Sequence, residues 1–265
     1  MEKAARLARF GNRVLDKIVI LIVLFLFLYG GYSLWDTYMN AQGAFLSDDL
    51  LQYKPSGDGD TLSLADLMKI NPDVVGWLTV DNTHIDYPVV QGENDMEYVN
   101  KDVYGEFSLS GSIFLSCLNK RDFSDPYSLV YGHHMANGGM FGDVVSFTKK
   151  DYFNKHKTGT LYLPDQTMQV DLFACVKTSA SDSVVYSPQE QKEDASGLLS
   201  YIKKNALFFR DISVGKEDRI IGLSTCSESV TNGRVILFGK LTDKKQNKKQ
   251  DKKGGTPKSN EKDQK

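Results

Sequence analysis

Ile220–Lys240 reads IIGLSTCSESVTNGRVILFGK: two apolar runs joined by a polar connection that ends in Asn232-Gly233. Apolar, β-branched runs bounded by turn residues predict strands, here over 217–225 and 233–240. The two are expected to pair. Pairing would bring Cys226, at the end of the first, and Arg234, at the start of the second, to one rim. A strand terminus is a rigid mount that opens on the surface, which suits a nucleophile. The competing reading of Arg234 is a surface ion pair.

Working outward, six more strand patterns precede this pair, over 74–80, 84–90, 112–116, 128–132, 158–163 and 167–177. Asp81-Asn82 predicts a hairpin between the first two. Short helices are expected over 44–53 and from Ser63, where Ser63 and Asp66 are spaced as cap and N3 acid, ending at Asn71-Pro72. Residues 94–107 and 140–156 read as short helices or loops. Ser187-Pro188-Gln189-Glu190 is a helix start with Pro at the first turn. That helix is expected to run to about Asn205, with Leu198, Leu199, Ile202, Ala206 and Leu207 towards the core. Eight short strands with a late inserted helix predict a mainly β fold with helices, a closed or partly closed barrel.

The N-terminal part follows different rules. From Ile18 to Trp35 the run IVILIVLFLFLYGGYSLW carries no charge. As a helix these residues span about 27 Å, close to the hydrocarbon thickness of a bilayer. Tyr29, Tyr32 and Trp35 sit at the far end, where aromatic rings favour the interface. A cleaved signal peptide is the alternative, since Ala41-Gln42-Gly43 offers a small-x-small pattern. The run is longer than the apolar region of most signal peptides, which favours an uncleaved anchor.

The 265 residues have a formal net charge of −2, which excludes a strongly basic nucleic-acid binder. That total hides three blocks: +3 over 1–17, −10 over 18–241 and +5 over 242–265, where nine lysines lie. The basic head places residues 1–17 in the cytoplasm and the bulk of the chain outside the cell. The predicted organisation is a cytoplasmic basic segment (1–17), a transmembrane anchor (18–35), an extracellular helix and linker (36–60), a catalytic barrel (61–241) and a disordered Lys-rich tail (242–265).

Three cysteines and four histidines are present. Cys117 and Cys175 lie in strand patterns and read as small buried hydrophobes. Cys226 stands at a strand end, where the chain turns polar. His133 and His134 follow Leu129-Val-Tyr-Gly, and adjacent residues at a strand end point to opposite faces. His84 and His156 read as surface residues. No Cys-x-x-Cys or His-Glu-x-x-His spacing occurs, so no metal site and no cofactor is expected. A thiol, an imidazole and a guanidinium form a coherent chemical set for acyl transfer: nucleophile, proton carrier and oxyanion donor. Spacing alone does not bring them together.

The sequence resembles the sortases. Leu223-Ser-Thr-Cys226 is similar to their Cys signature, with Arg234 at a suitable distance, and Tyr131-Gly-His133 is similar to the motif that carries their His. Asn71-Pro-Asp-Val-Val-Gly-Trp-Leu, Ile85-Asp-Tyr-Pro-Val-Val-Gln, Gly111-Ser-Ile-Phe-Leu and Gly139-Met-Phe-Gly point to class B sortases of Gram-positive bacteria, as does the helix before the Cys strand.

The resemblance covers about residues 44–241. It implies an eight-stranded sortase barrel and a cysteine transpeptidase with His133, Cys226 and Arg234 as catalytic residues. Such an enzyme cuts the C-terminal sorting signal of a secreted surface protein after Thr. The acyl group passes through a thioacyl intermediate to an amine of the peptidoglycan precursor or of a pilin Lys. Tyr131, Ser224 and Glu228 are expected to line the cleft, with a solvated loop acid as the alternative for Glu228. A hydrolytic envelope peptidase and a membrane-tethered binding barrel are the readings from other classes.

Overall fold

The computed structural model describes residues 2–43, 48–55, 63–191, 193–215, 217–226 and 232–244. Helix α1 runs over Glu2–Gly43 and includes the uncharged run. Its Arg9–Trp35 portion is long and apolar enough to cross a membrane, and none of its most apolar window is buried. Helix α2 spans Asp48–Leu51 and α3 Leu64–Ile70. Ser63 opens α3 as expected, its N–H donating to the Asp66 carboxylate at 3.0 Å. Asn71 closes it.

The strands are β1 (Val74–Val80), β2 (Asp86–Val90), β3 (Ile113–Leu115), β4 (Tyr127–Tyr131), β5 (Thr158–Tyr162), β6 (Thr167–Ser179), β7 (Ala206–Phe209), β8 (Arg219–Cys226) and β9 (Gly233–Asp243). Between them lie α4 (Gly142–Ser146), α5 (Lys150–Lys155), α6 (Ser183–Tyr186) and α7 (Ser196–Asn205). The sheet order is β5-β1-β2-β3-β4-β8-β9-β6-β7, and β5 also pairs with β6. That last pairing closes an eight-stranded ring, and the pairs β2–β3 and β4–β8 are parallel. All eight predicted strands are present. Asp81-Asn82 does join an antiparallel pair, with Asn82 in the left-handed region at φ 59°.

Four expectations are corrected. Ala206–Phe209 forms a ninth strand against β6 outside the ring, and Leu207 is exposed instead of facing the core. The helix expected from Pro188 begins only at Ser196, after a single 3-10 turn over Pro188–Gln191. His156 is buried, with Nδ1 2.9 Å from the Tyr152 carbonyl and its ring against Tyr152. Strand β9 runs to Asp243 and pairs Thr242 and Asp243 with β6, so the tail leaves the barrel two residues later than expected. The rest of the tail lies almost wholly outside the described residues.

Strands β4, β8 and β9 and the Leu172–Val176 part of β6 are buried on both faces, which is why they read as continuous apolar runs, whereas Thr167–Leu172 alternates. Ile221, Leu223, Val235 and Leu237 join one core cluster. Their neighbours Ile220, Ile236 and Phe238 join a second cluster with Leu198, Leu199 and Ile202 of α7. A third cluster holds Tyr53, Leu67 and Trp77, tying α3 to the sheet.

Candidate active site

The β8–β9 register places Cys226 directly opposite Arg234. Side chains of directly opposed residues share one face with Cβ atoms about 5 Å apart. The parallel β4–β8 register pairs Tyr131 with Ser224, and the Gly132 N–H extends it by donating to the Ser224 carbonyl at 3.1 Å. Continued one step further, this register sets His133 level with Cys226. His133, distant in sequence, therefore joins Cys226 and Arg234 at one cleft of about 410 Å³, lined by these three and by Tyr131 and Ser224 among others.

Cys226 is exposed, whereas Cys175 is buried and Cys117 is half-buried. Burial pushes the Cys175 thiol up to about 12. Cys117, expected to be fully buried, instead donates its backbone N–H to Asp95 at 2.6 Å, and burial with the nearby carboxylate raises its pKa. Neither thiol has the environment of a nucleophile.

The His133 imidazole is held by its Nε2, 2.8 Å from the Val99 carbonyl. A carbonyl only accepts, so Nε2 carries a proton and Nδ1 is the nitrogen left to exchange one. Val99 comes close because Gly111, at φ +58°, has no side chain: a Cβ there would lie 2.3 Å from the Val99 oxygen. His134 does not line the cleft and bridges to Met140 instead. Arg234 uses one Nη to reach the Gly233 carbonyl at 3.0 Å, which among the described residues leaves most of its five donors for other partners.

The walls are aromatic. Tyr131 stacks between Phe114 and Tyr186, with ring centroids at 5.2 and 6.3 Å. Tyr186 is hydrogen-bonded to Ser224 Oγ at 2.9 Å. Burial pushes its hydroxyl up to about 12, with Arg234 lowering and Cys226 raising it. Burial likewise raises Tyr131, with Asp95 adding to the shift.

Asp95, Met96, Val99, Ala180, Tyr186 and Thr225 also line the cleft, and sequence reasoning missed them. Asp95, Met96 and Val99 come from the segment before β3, Ala180 follows β6 and Tyr186 ends α6, and no motif or periodicity marks these five; Thr225 stands inside the Leu223-Ser-Thr-Cys226 motif of β8. Glu228 lies outside the described residues. Among the described residues no group of three or more His, Cys, Asp or Glu is placed to hold a metal ion.

No family model matches the chain. Sortase B of Listeria monocytogenes is 30% identical over 240 residues, which is 87% of this chain and 98% of that protein. Among solved structures, a Streptococcus pyogenes class B sortase involved in pilus biogenesis is 46% identical with a TM-score of 0.63, covering 68% of this chain and 97% of that one. A Staphylococcus aureus sortase B–substrate complex is 30% identical with a TM-score of 0.62, covering 68% and 84%. With 30% identity to that Listeria sortase B across nearly its whole length, the chain belongs to the sortase B family of cysteine transpeptidases.

Proposed function

We propose that this sortase B cleaves the C-terminal sorting signal of a secreted protein after Thr, with Cys226 as nucleophile, His133 as general acid and base, and Arg234 as oxyanion donor. The observation that carries the reading is the convergence of these three residues on one cleft through the β4–β8–β9 register.

The Cys226 thiolate attacks the Thr carbonyl, and the negative charge that develops on oxygen is met by the Arg234 guanidinium. His133 protonates the departing amine, and the C–N bond breaks to leave a thioacyl enzyme. An amine then attacks the thioester, giving up a proton through His133. Tyr131, Ser224 and Tyr186 border the scissile region and hold the donor peptide. The acceptor is an amine of the peptidoglycan precursor. A second reading, a pilin Lys, is favoured by the 46% identity with a class B sortase involved in pilus biogenesis, against 30% for the Listeria sortase B. The basic head and the apolar helix support an N-terminus in the cytoplasm and a catalytic domain outside.

The test is a peptide-library assay with the full chain in detergent micelles, with and without added wall-type and Lys-type amines, read by mass spectrometry. Cys226→Ala is expected to lose the thioacyl adduct and about 10³-fold or more of turnover. Arg234→Ala is expected to cost about 10²–10³-fold in kcat. His133→Ala loses most activity and His134→Ala far less. Wild-type cleavage by Cys226→Ala would refute the nucleophile, and the reverse His order would exchange those two residues. Release of free acid with every amine would establish a hydrolase instead.

A further inference from the structure

We infer that Asp95 receives the ammonium group of the acceptor amine and selects cationic acceptors, a proposal that rests on the transpeptidase reading above. Asp95 lines the same cleft as Cys226, His133 and Arg234. Its Oδ1 accepts the Cys117 N–H at 2.6 Å and its Oδ2 accepts the Ser116 hydroxyl at 3.0 Å. Both donors are neutral. They fix the carboxylate in place and leave its charge uncompensated, since no Lys or Arg pairs with it among the described residues.

The acid next along the same segment, Glu97, already has a cation. Glu97 holds Lys101 at 3.0 Å and the Glu93 N–H at 2.9 Å. Met96, Val99 and Phe114 give the cleft apolar lining, and the Tyr131 hydroxyl lies near enough to feel the Asp95 charge. A fixed anion against low-dielectric walls attracts a cation more strongly than it would in water.

The chemistry supplies one reagent that fits. The scissile peptide bond is uncharged, and the oxyanion would be repelled by a carboxylate. The acceptor arrives as an ammonium ion. It gives one proton to solvent and attacks the thioester carbon. The new C–N bond forms, the C–S bond breaks, and a second proton passes from nitrogen through His133 to the Cys226 sulfur. Asp95 holds the cation before its first deprotonation.

The experiment compares two acceptors on the full chain in detergent micelles, with a donor peptide taken from the library. One is Nα-acetyl-lysine amide, cationic at near-neutral pH, and the other is hydroxylamine, largely neutral there. Asp95→Asn is expected to lower the ratio of the two acceptor efficiencies about tenfold, through the lysine KM. Asp95→Glu keeps most of the ratio, and added salt erodes the lysine efficiency of the wild type more than that of Asp95→Asn.

A ratio within about twofold of wild type overturns the proposal, whether both efficiencies fall together, as a purely structural role predicts, or the donor KM rises alone. Failure of the underlying reading looks different: the wild type forms no product with either acceptor, or Cys226→Ala matches it.

Discussion

Gly132 positions the imidazole next to it by having no side chain. A Cβ at this position would lie 2.5 Å from Ile113 Cδ1 and 2.7 Å from the Phe141 ring, both fully buried in the main core cluster. Neither neighbour can retreat, because interiors are close-packed. Gly132→Ala is therefore expected to push the 132–133 backbone outward and misplace His133. The expected result is a fall in kcat of about 10²-fold with a stability loss of about 1–3 kcal/mol. Donor-peptide turnover and thermal unfolding of the same preparation check both; a kcat within a few-fold of wild type would show that the loop absorbs the added carbon. The three cysteines illustrate how far residue-level reading reaches. Cys226 was legible from its place at a strand end, and Cys175 from its apolar neighbours. Cys117 was misread, because the carboxylate that engages its N–H comes from a segment 22 residues away.

At the scale of elements, Asp182 ties the end of β6 to the two helices that follow. Its carboxylate accepts the Val184 N–H at 3.1 Å, capping α6, and the Thr178 hydroxyl at 2.7 Å, and it also accepts the Tyr201 hydroxyl of α7. Partial burial alone would raise its pKa. The hydrogen bonds from Thr178, Tyr201, Val185 and Val184 outweigh burial, and the net shift is downward. A carboxyl held lower in the folded chain than in the unfolded one contributes stability above the unfolded value, about 4. That contribution is lost as the pH falls through the lowered folded value. Asp182→Asn should therefore unfold at lower temperature than wild type near neutral pH, with the gap closing in acid. Melting curves across that range test this, and a gap independent of pH would contradict it.

The same region shows why local signals mislead. Ser187-Pro188-Gln189-Glu190 carries a sound helix-start pattern, yet Pro188 and Gln191 are drawn into the buried contact and the turn stops after Gln191. Ala206–Phe209 follows α7 with no breaker, and its strand character comes from the open edge of β6. Tertiary pairing overrides helix propensity at both places.

For the whole molecule, the partition of charge is the feature most open to test. In intact protoplasts, protease added outside is expected to degrade the barrel and leave the 1–17 segment protected, as the positive-inside rule requires. Mass spectrometry of the native N-terminus then separates anchor from signal peptide: a chain that starts near Ala44 would exclude the anchor. Removal of residues 1–43 is expected to move the activity from the membrane fraction to the soluble one.

The sequence by itself determined the apolar helix, eight strands, the class of barrel and the three residues with the chemistry of acyl transfer. The helix and the strands are properties of periodicity, charge and local composition, which a single element carries alone; the class of barrel and the choice of the three residues came from motifs that resemble the sortases. Only the tertiary structure decided how the strands close and what faces Cys226. Closure depends on the β5–β6 pairing, between strands already adjacent in sequence, together with a register that runs through β4, β8 and β9. The far wall of the cleft, with Asp95, Val99 and Tyr186, comes from a loop, a 3-10 turn and the end of the four-residue helix α6, placed by long-range contacts. Segments this short have no repeat to read, so their side chains acquire a partner only when the barrel is complete.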